Sequence, residues 1–326
     1  MKRQLPKYVY SIKGVLYYRR GGPAVRMVSR EGSPEFWAEY ARLVRGVYPV
    51  KQAQTFKALI ASYKQSSDYT KLKPRTRSDY DKVLAFIADK MGGLPFAKMR
   101  HSDVIRARDD NAEAMRFANY LVQILRILFQ HAMKQGWTEA NPAKGVEMLK
   151  SSNPPRMPWP TDKIAAFREA CPLGTRQRLL FELLLGTGQR IGDVLKMQWG
   201  HIEGQGINVR QNKTGKALWL PFTPSLRAAL DAAPRRNLTM LTNQAGTGPW
   251  SYRGAADAMM EVRKQIGAEA YDLHSLRYTA AAELVEAGCS DELVAAVTGQ
   301  GAAMVVHYTQ SVRQKVRAIK AQDLRK

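Results

Sequence analysis

Four prolines fall within thirteen residues in MLKSSNPPRMPWP, 148–160. Proline fixes φ and removes a backbone donor, so no helix or ladder continues through such a stretch. The chain must fold as separate bodies on either side of it. We therefore read 148–160 as a linker and domain boundary, consistent with roughly two or three domains for 326 residues.

The segments on either side differ. Residues 8–30, YVYSIKGVLYYRRGGPAVRMVSR, set aromatic and β-branched runs around SIKG and RGGP, which predicts two or three short strands. Ser33-Pro34 then places a cap and a first-turn proline before a helix running to about Arg45. This β-rich element, 1–50, is either a small supporting sheet or a basic ribbon laid on DNA. Residues 52–147 carry apolar positions at helical spacing from Thr55 to Ser66, Arg75 to Met91 and 112–135. In the last of these, Phe117, Leu121, Ile124, Leu125 and Leu128 share one face. From Thr161 onward helices dominate again, interrupted by GINVRQNKTGKALWLPF (206–222), which reads as a β-hairpin around KTGK. The expected fold is mainly α with a small β-sheet.

Charge narrows the function. Fifty-one Lys and Arg against 28 Asp and Glu give +23. A field of that sign draws in polyanions, and phosphate neutralisation with counterion release makes nucleic acid the leading partner. The excess is spread out: 1–50 hold ten Lys/Arg against three acids, and 311–326 hold six against one. Several contact zones along a long ligand follow. No apolar run reaches the length of a membrane span, and MKRQLPKYVY lacks a signal-peptide core, so a cytoplasmic protein without a membrane partner is expected. Cys171 and Cys289 stand far apart and outside any CxxC, and the five histidines are scattered. Neither a disulfide framework nor a zinc site is expected, and both cysteines read as small core residues.

Four pieces of the C-terminal half bear on one tyrosine. In LLLGTGQRIGDVLKMQW (183–199) Arg190 follows a glycine bend, with Asp193 one helical turn later, where it serves equally as a surface ion-pair partner. In QNKTGK (211–216) Lys213 sits at a strand turn. In DLHSLRYTAAAELVEAG (272–288) His274 and Arg277 lie three apart at a helix start, a natural phosphate site. VTGQGAAMVVHYTQ (297–310) places Tyr308 on a short apolar turn ahead of a basic tail.

In this order these pieces closely resemble the tyrosine recombinase (phage integrase) family over about 52–320. GTGQRIGDVLKMQW is similar to its TGxR segment, NKTGKALWLPF to its lysine hairpin, HSLRYTAAAELVEAG to its HxLR helix and HYT to its tyrosine box. The resemblance implies a helical, SAM-like core-binding domain over 52–147. It also implies a mixed α/β catalytic domain over 161–326, with a C-terminal tail at 311–326. It implies a site-specific recombinase that cuts and rejoins double-stranded DNA through a 3′-phosphotyrosyl link, for integration or excision of a prophage or other mobile element. Tyr308 would be the nucleophile, and Arg190 and Arg277 would clamp the phosphate. Lys213 would be the general acid, and His274 would assist Tyr308 with Asp193 behind it. No metal or cofactor is implied. Partners would be a homotetramer on paired sites and accessory DNA-bending and directionality factors.

One departure stands out. The family's box reads LGH or TGH with the tyrosine nine residues after that histidine. Here TGQ puts Gln300 eight residues before Tyr308. A glutamine can donate to a phosphate oxygen but carries no charge and shuttles no proton. The alternative is therefore a catalytically weak relative that acts as a DNA-binding module. In the tail, Val312, Val316 and Ile319 fall on one helical face, to be covered either by the tail's own domain or by a neighbouring protomer.

Overall fold

The computed structural model describes residues 5–45, 54–152 and 156–325. The chain divides into two compact units, Met1–Ser152 and Asn153–Lys326. The ends of the predicted N-terminal element (1–4 and 46–50), part of the predicted linker (153–155) and Lys326 lie outside the described residues.

The first unit opens with an antiparallel sheet of β1 (Val9–Ile12), β2 (Val15–Tyr18) and β3 (Val25–Arg26). Lys13-Gly14, both at positive φ, make the tight turn that pairs Ile12 with Val15. Helix α1 (Pro34–Val44) starts where the sequence predicts: Ser33 Oγ accepts the Phe36 N–H at 3.1 Å. Phe36 and Leu43 then pack with Val9, Tyr18 and Met27 in a small core.

The helical part holds α2 (Phe56–Gln65), α3 (Ser67–Thr70), α4 (Pro74–Met91), α5 (His101–Asp109) and α6 (Met115–Lys134). The predicted stripe of α6 is its core: Leu121, Ile124, Leu125 and Leu128 pack against Phe56, Leu59, Leu84, Ile87 and Phe96. Gly136, at φ +67°, ends the helical path. The segment beyond it is not free. Arg126 on α6 donates to the carbonyls of Ala143 and Val146, and Asn119 exchanges two 2.8 Å bonds with Leu149. Buried backbone needs partners, and here side chains supply them where no ladder can.

The second unit packs α7 (Thr161–Ala170), α8 (Arg176–Thr187), the one-turn α9 (Ile191–Val194), α10 (Pro224–Asp231), α11 (Tyr252–Gln265), α12 (Ser275–Glu286), α13 (Asp291–Thr298) and α14 (Ala302–Asp323). They surround an antiparallel sheet of β4 (Ile202–Glu203), β5 (Gly206–Arg210) and β6 (Ala217–Pro221). Helix α8 is buried all round, which explains its near-continuous apolar sequence. Its one acid, Glu182, takes Arg168 and Arg178 at 2.8 Å each, so the buried charge is paired. The end of the predicted linker is likewise in use: Trp159 is buried against Phe167 and Phe181, and its N–H donates to Thr279 Oγ1 at 2.8 Å. Among the described residues, no helix is long and apolar enough to cross a membrane.

One expectation changes. Tyr308 does not sit on a short turn but inside the 22-residue α14. Gly299, at φ +69°, caps α13, Gly301 caps α14, and no further Gly or Pro interrupts the run to Asp323. The tail continues that helix. Val305, Tyr308 and Val312 pack on Ala281, Val285 and Val294 of the same unit, whereas Ile319 is 53% exposed. Only the start of the predicted apolar stripe is covered by its own domain.

Candidate active site

Helix α8 ends at Gly188, whose φ of +61° turns the chain out of the helix. A Cβ there would also stand 3.3 Å from Ala280, so glycine suits both the turn and the close approach. Gln189 and Arg190 follow at once, and Arg190 holds extended backbone as the N-cap of α9. Arg277 lies in the first turn of α12, 1% exposed, and its Nη1 donates to Gly188 O at 2.7 Å. The carbonyl end of α8 is a natural seat for a cation.

Two guanidiniums, Arg190 and Arg277, are thus held close enough to repel one another. Burial pushes Arg277 down to about 10, and the charge of Arg190 pushes the same way. Arg277 stays charged at neutral pH even so. Arg277 Nε and Nη2 and Arg190 Nη1 are buried with no hydrogen-bond partner among the described residues. Buried charged donors left open at that cost call for an anion.

Tyr308 lies beside them. Its hydroxyl and His274 Nε2 are 2.8 Å apart. The hydroxyl is also close enough to Arg277 to counter the lowering of that guanidinium. The ring of Tyr278 stacks on that of Tyr308, with centroids 3.6 Å apart and planes 10° off parallel. Burial, then the neighbouring Tyr308 hydroxyl, pushes the Tyr278 phenol up to about 12, so Tyr278 holds its proton. His307, adjacent to Tyr308, is exposed.

His274 is pushed below the ordinary imidazole value, first by burial and then by the Arg156 guanidinium. The carboxylate that acts on it is Asp272, which opposes the shift. Asp272 takes Arg156 Nε at 2.7 Å on one oxygen and the Ser275 N–H, also at 2.7 Å, on the other. Asp193, expected behind His274, has its Oδ1 on the Asn212 N–H at 2.8 Å and so ties the lysine turn to α9. Sequence spacing from Arg190 could not distinguish these two acids. The D-x-x-S start of α12 is the signal that marks Asp272, as a capping residue. Arg156 and Tyr278 carried no such signal.

Lys213 stands at the β5–β6 turn and, with Arg156, Arg190, Asp193 and His274, lines an open cavity of about 600 Å³. Gln300 is buried just after the α13 cap, and neither atom of its amide has a partner among the described residues. Among those residues, no three His, Cys, Asp or Glu gather as a metal site.

An NMR titration of the His274 ring tests the electrostatics without any substrate. Its midpoint should lie below the free value of about 6.5 and should rise in Arg156→Gln, because a repelling charge is gone and Asp272 is freed. An unchanged or lower midpoint in that variant would contradict the assignment of Arg156.

Residues 161–315 match the phage integrase family. Among similar proteins, the integrase of Escherichia phage HK022 is 27% identical over 182 residues, covering 54% of this chain and 50% of that protein. The aligned part thus spans about half the length of that relative. The tyrosine recombinase XerD of Ralstonia nicotianae is 25% identical over 242 residues, covering 68% of this chain and 77% of XerD. The fold is shared with lambda integrase, solved as a tetramer bound to a Holliday junction (TM-score 0.68, 20% identity, 95% of this chain and 96% of that one). It is also shared with the Tn1549 transposon integrase in complex with circular intermediate DNA (TM-score 0.66, 15% identity, 78% and 95%).

Proposed function

We propose that the chain, which matches the phage integrase family over residues 161–315, is a site-specific DNA recombinase of that family with Tyr308 as nucleophile. The observation that carries this reading is the set of buried donors on Arg190 and Arg277 with no partner among the described residues, beside a tyrosine hydroxyl that already contacts His274 Nε2. A scissile phosphate supplies the missing acceptors.

The reaction follows from these groups. Tyr308 Oη attacks phosphorus as its proton passes to His274 Nε2. Moving a proton from a phenol to an imidazole is uphill in water. The two arginines offset this cost because they also bind the charge that grows on the non-bridging oxygens. Lys213 gives a proton to the departing 5′ oxygen. The products are a 3′-phosphotyrosyl link and a 5′ hydroxyl. In rejoining, a second 5′ hydroxyl gives its proton to Lys213 as it attacks that link, and His274 returns its proton to the departing Tyr308; one phosphodiester is exchanged for another, so no ATP is consumed. Gln300 adds a neutral donor to the phosphate, and Asp193 acts by holding the Lys213 turn.

The charge of +23 supports double-stranded DNA as substrate, with residues 52–147 and the sheet of 1–50 as further contact zones. The shared fold with lambda integrase, which forms a tetramer on a Holliday junction, supports four protomers on paired sites. Integration or excision of a mobile element, aided by DNA-bending and directionality factors in the cytoplasm, is the matching role.

The test is covalent capture. Wild-type protein incubated with a pool of random-sequence duplexes, each nicked to trap the intermediate, should retain one sequence class through denaturant. Binding that denaturant always releases would instead identify a DNA-binding module. On the captured sequence, Lys213→Ala should cleave ordinary DNA slowly, by about 100-fold or more. It should recover on a duplex with sulfur at the 5′ bridging position, which leaves without a proton. Equal slowness on both duplexes would remove Lys213 from the general-acid role.

A further inference from the structure

Gln211 lies at the foot of the β5–β6 turn and is completely buried. A primary amide in that position is costly unless each donor and acceptor is met. All of them are. Its Nε2 donates to Gln189 Oε1 at 2.7 Å and to Thr298 O at 2.9 Å, and its Oε1 accepts the Thr214 hydroxyl at 2.7 Å. Gln189, equally buried, is oriented in turn: its Nε2 donates to Thr187 O at 2.9 Å and to Val297 O at 3.0 Å, which leaves its Oε1 for Gln211. Space has been cleared for the pair. A Cβ on Gly299 would come within 2.4 Å of Gln211 Nε2, and the φ of +69° there also favours glycine.

The amides join three segments at one point. Gln189 precedes Arg190, Gln211 is two residues before Lys213, and Thr298 is two residues before Gln300. The turn they hold is exposed from Asn212 to Ala217, so burial of apolar side chains cannot fix it. Directional bonds can, and a buried network sets one geometry where an apolar contact would allow several. Nothing in the chemistry proposed above needs either glutamine to touch DNA.

We propose that the Gln189–Gln211 amide pair is a positioning device that sets the Lys213 turn against the Arg190 segment, so that acid and clamp meet the same phosphate. This rests on the recombinase reading. Gln211→Met keeps the size and removes the bonds. On the captured duplex its cleavage should fall by about 100-fold, the usual cost of misplacing a reacting group by about 1 Å. On the 5′-sulfur duplex, which needs no acid, it should stay close to the wild-type rate. Thr214→Val, at an exposed position that puts folding at no risk, should show the same selective loss at about fivefold, the worth of one hydrogen bond. Thermal melts identify a Gln211→Met protein that fails to fold, and Thr214→Val then decides. Equal losses on the two duplexes, or no loss on ordinary DNA, would overturn the proposal. If wild-type protein forms no adduct on either duplex, the recombinase reading itself falls. A wild-type adduct with unselective variants removes only the positioning role.

Discussion

Tyr308→Phe should form no DNA adduct that survives denaturant, while binding of the captured duplex should be retained. The change removes one oxygen from a ring stacked on Tyr278, so packing is kept and the nucleophile is lost. Losing a hydroxyl nucleophile costs on the order of a millionfold in a comparable covalent mechanism. Tyr278→Phe is the control. That phenol, pushed up to about 12, holds its proton and does not replace Tyr308, so adduct should still form in its absence. Denaturing gels of labelled duplex read both outcomes. An adduct in Tyr308→Phe of wild-type yield would remove Tyr308 from the chemistry.

Arg277→Met has the second large effect, and stability separates it from simple damage. One lost anion donor costs about 3 kcal/mol of transition-state binding, on the order of 100- to 1000-fold in cleavage. Folding should respond in the other direction or not at all. Burial and Arg190 press the Arg277 guanidinium down to about 10, so its charge opposes folding, and two of its nitrogens are unpaired. Replacing a buried charge with an apolar chain of similar reach is often neutral or stabilising. Against this stands the loss of the bond to Gly188 O. The melting temperature should therefore hold or rise as cleavage collapses. A clear fall in melting temperature would show that Arg277 mainly supports the fold.

The sequence was most legible where one local signal sets the structure. The Ser33-Pro34 start, the α6 stripe, the hairpin around Lys213 and the glycine end of α8 all depend on neighbours within a few residues. The environment of Tyr308 was least legible. AAMVVHYTQ carries too short an apolar pattern to reveal a helix of 22 residues. The contacts that define the site also join residues far apart in sequence: His274 with Tyr308, Gln189 with Gln211, Arg156 with Asp272. The bond from the Asn212 N–H to Asp193, which ties the lysine turn to α9, also spans segments that no local spacing links. The oddity of TGQ was visible in the sequence. Its consequence, a buried amide without a partner among the described residues, was not.

The most direct measurement is to digest the captured adduct and locate the linkage by mass spectrometry, with the DNA ends identified on labelled strands. The expected result is a single peptide joined through Tyr308 to a 3′ phosphate, with a free hydroxyl on the 5′ end across the break. Attachment at any other residue, a link to a 5′ phosphate, or no adduct from any duplex would contradict the account.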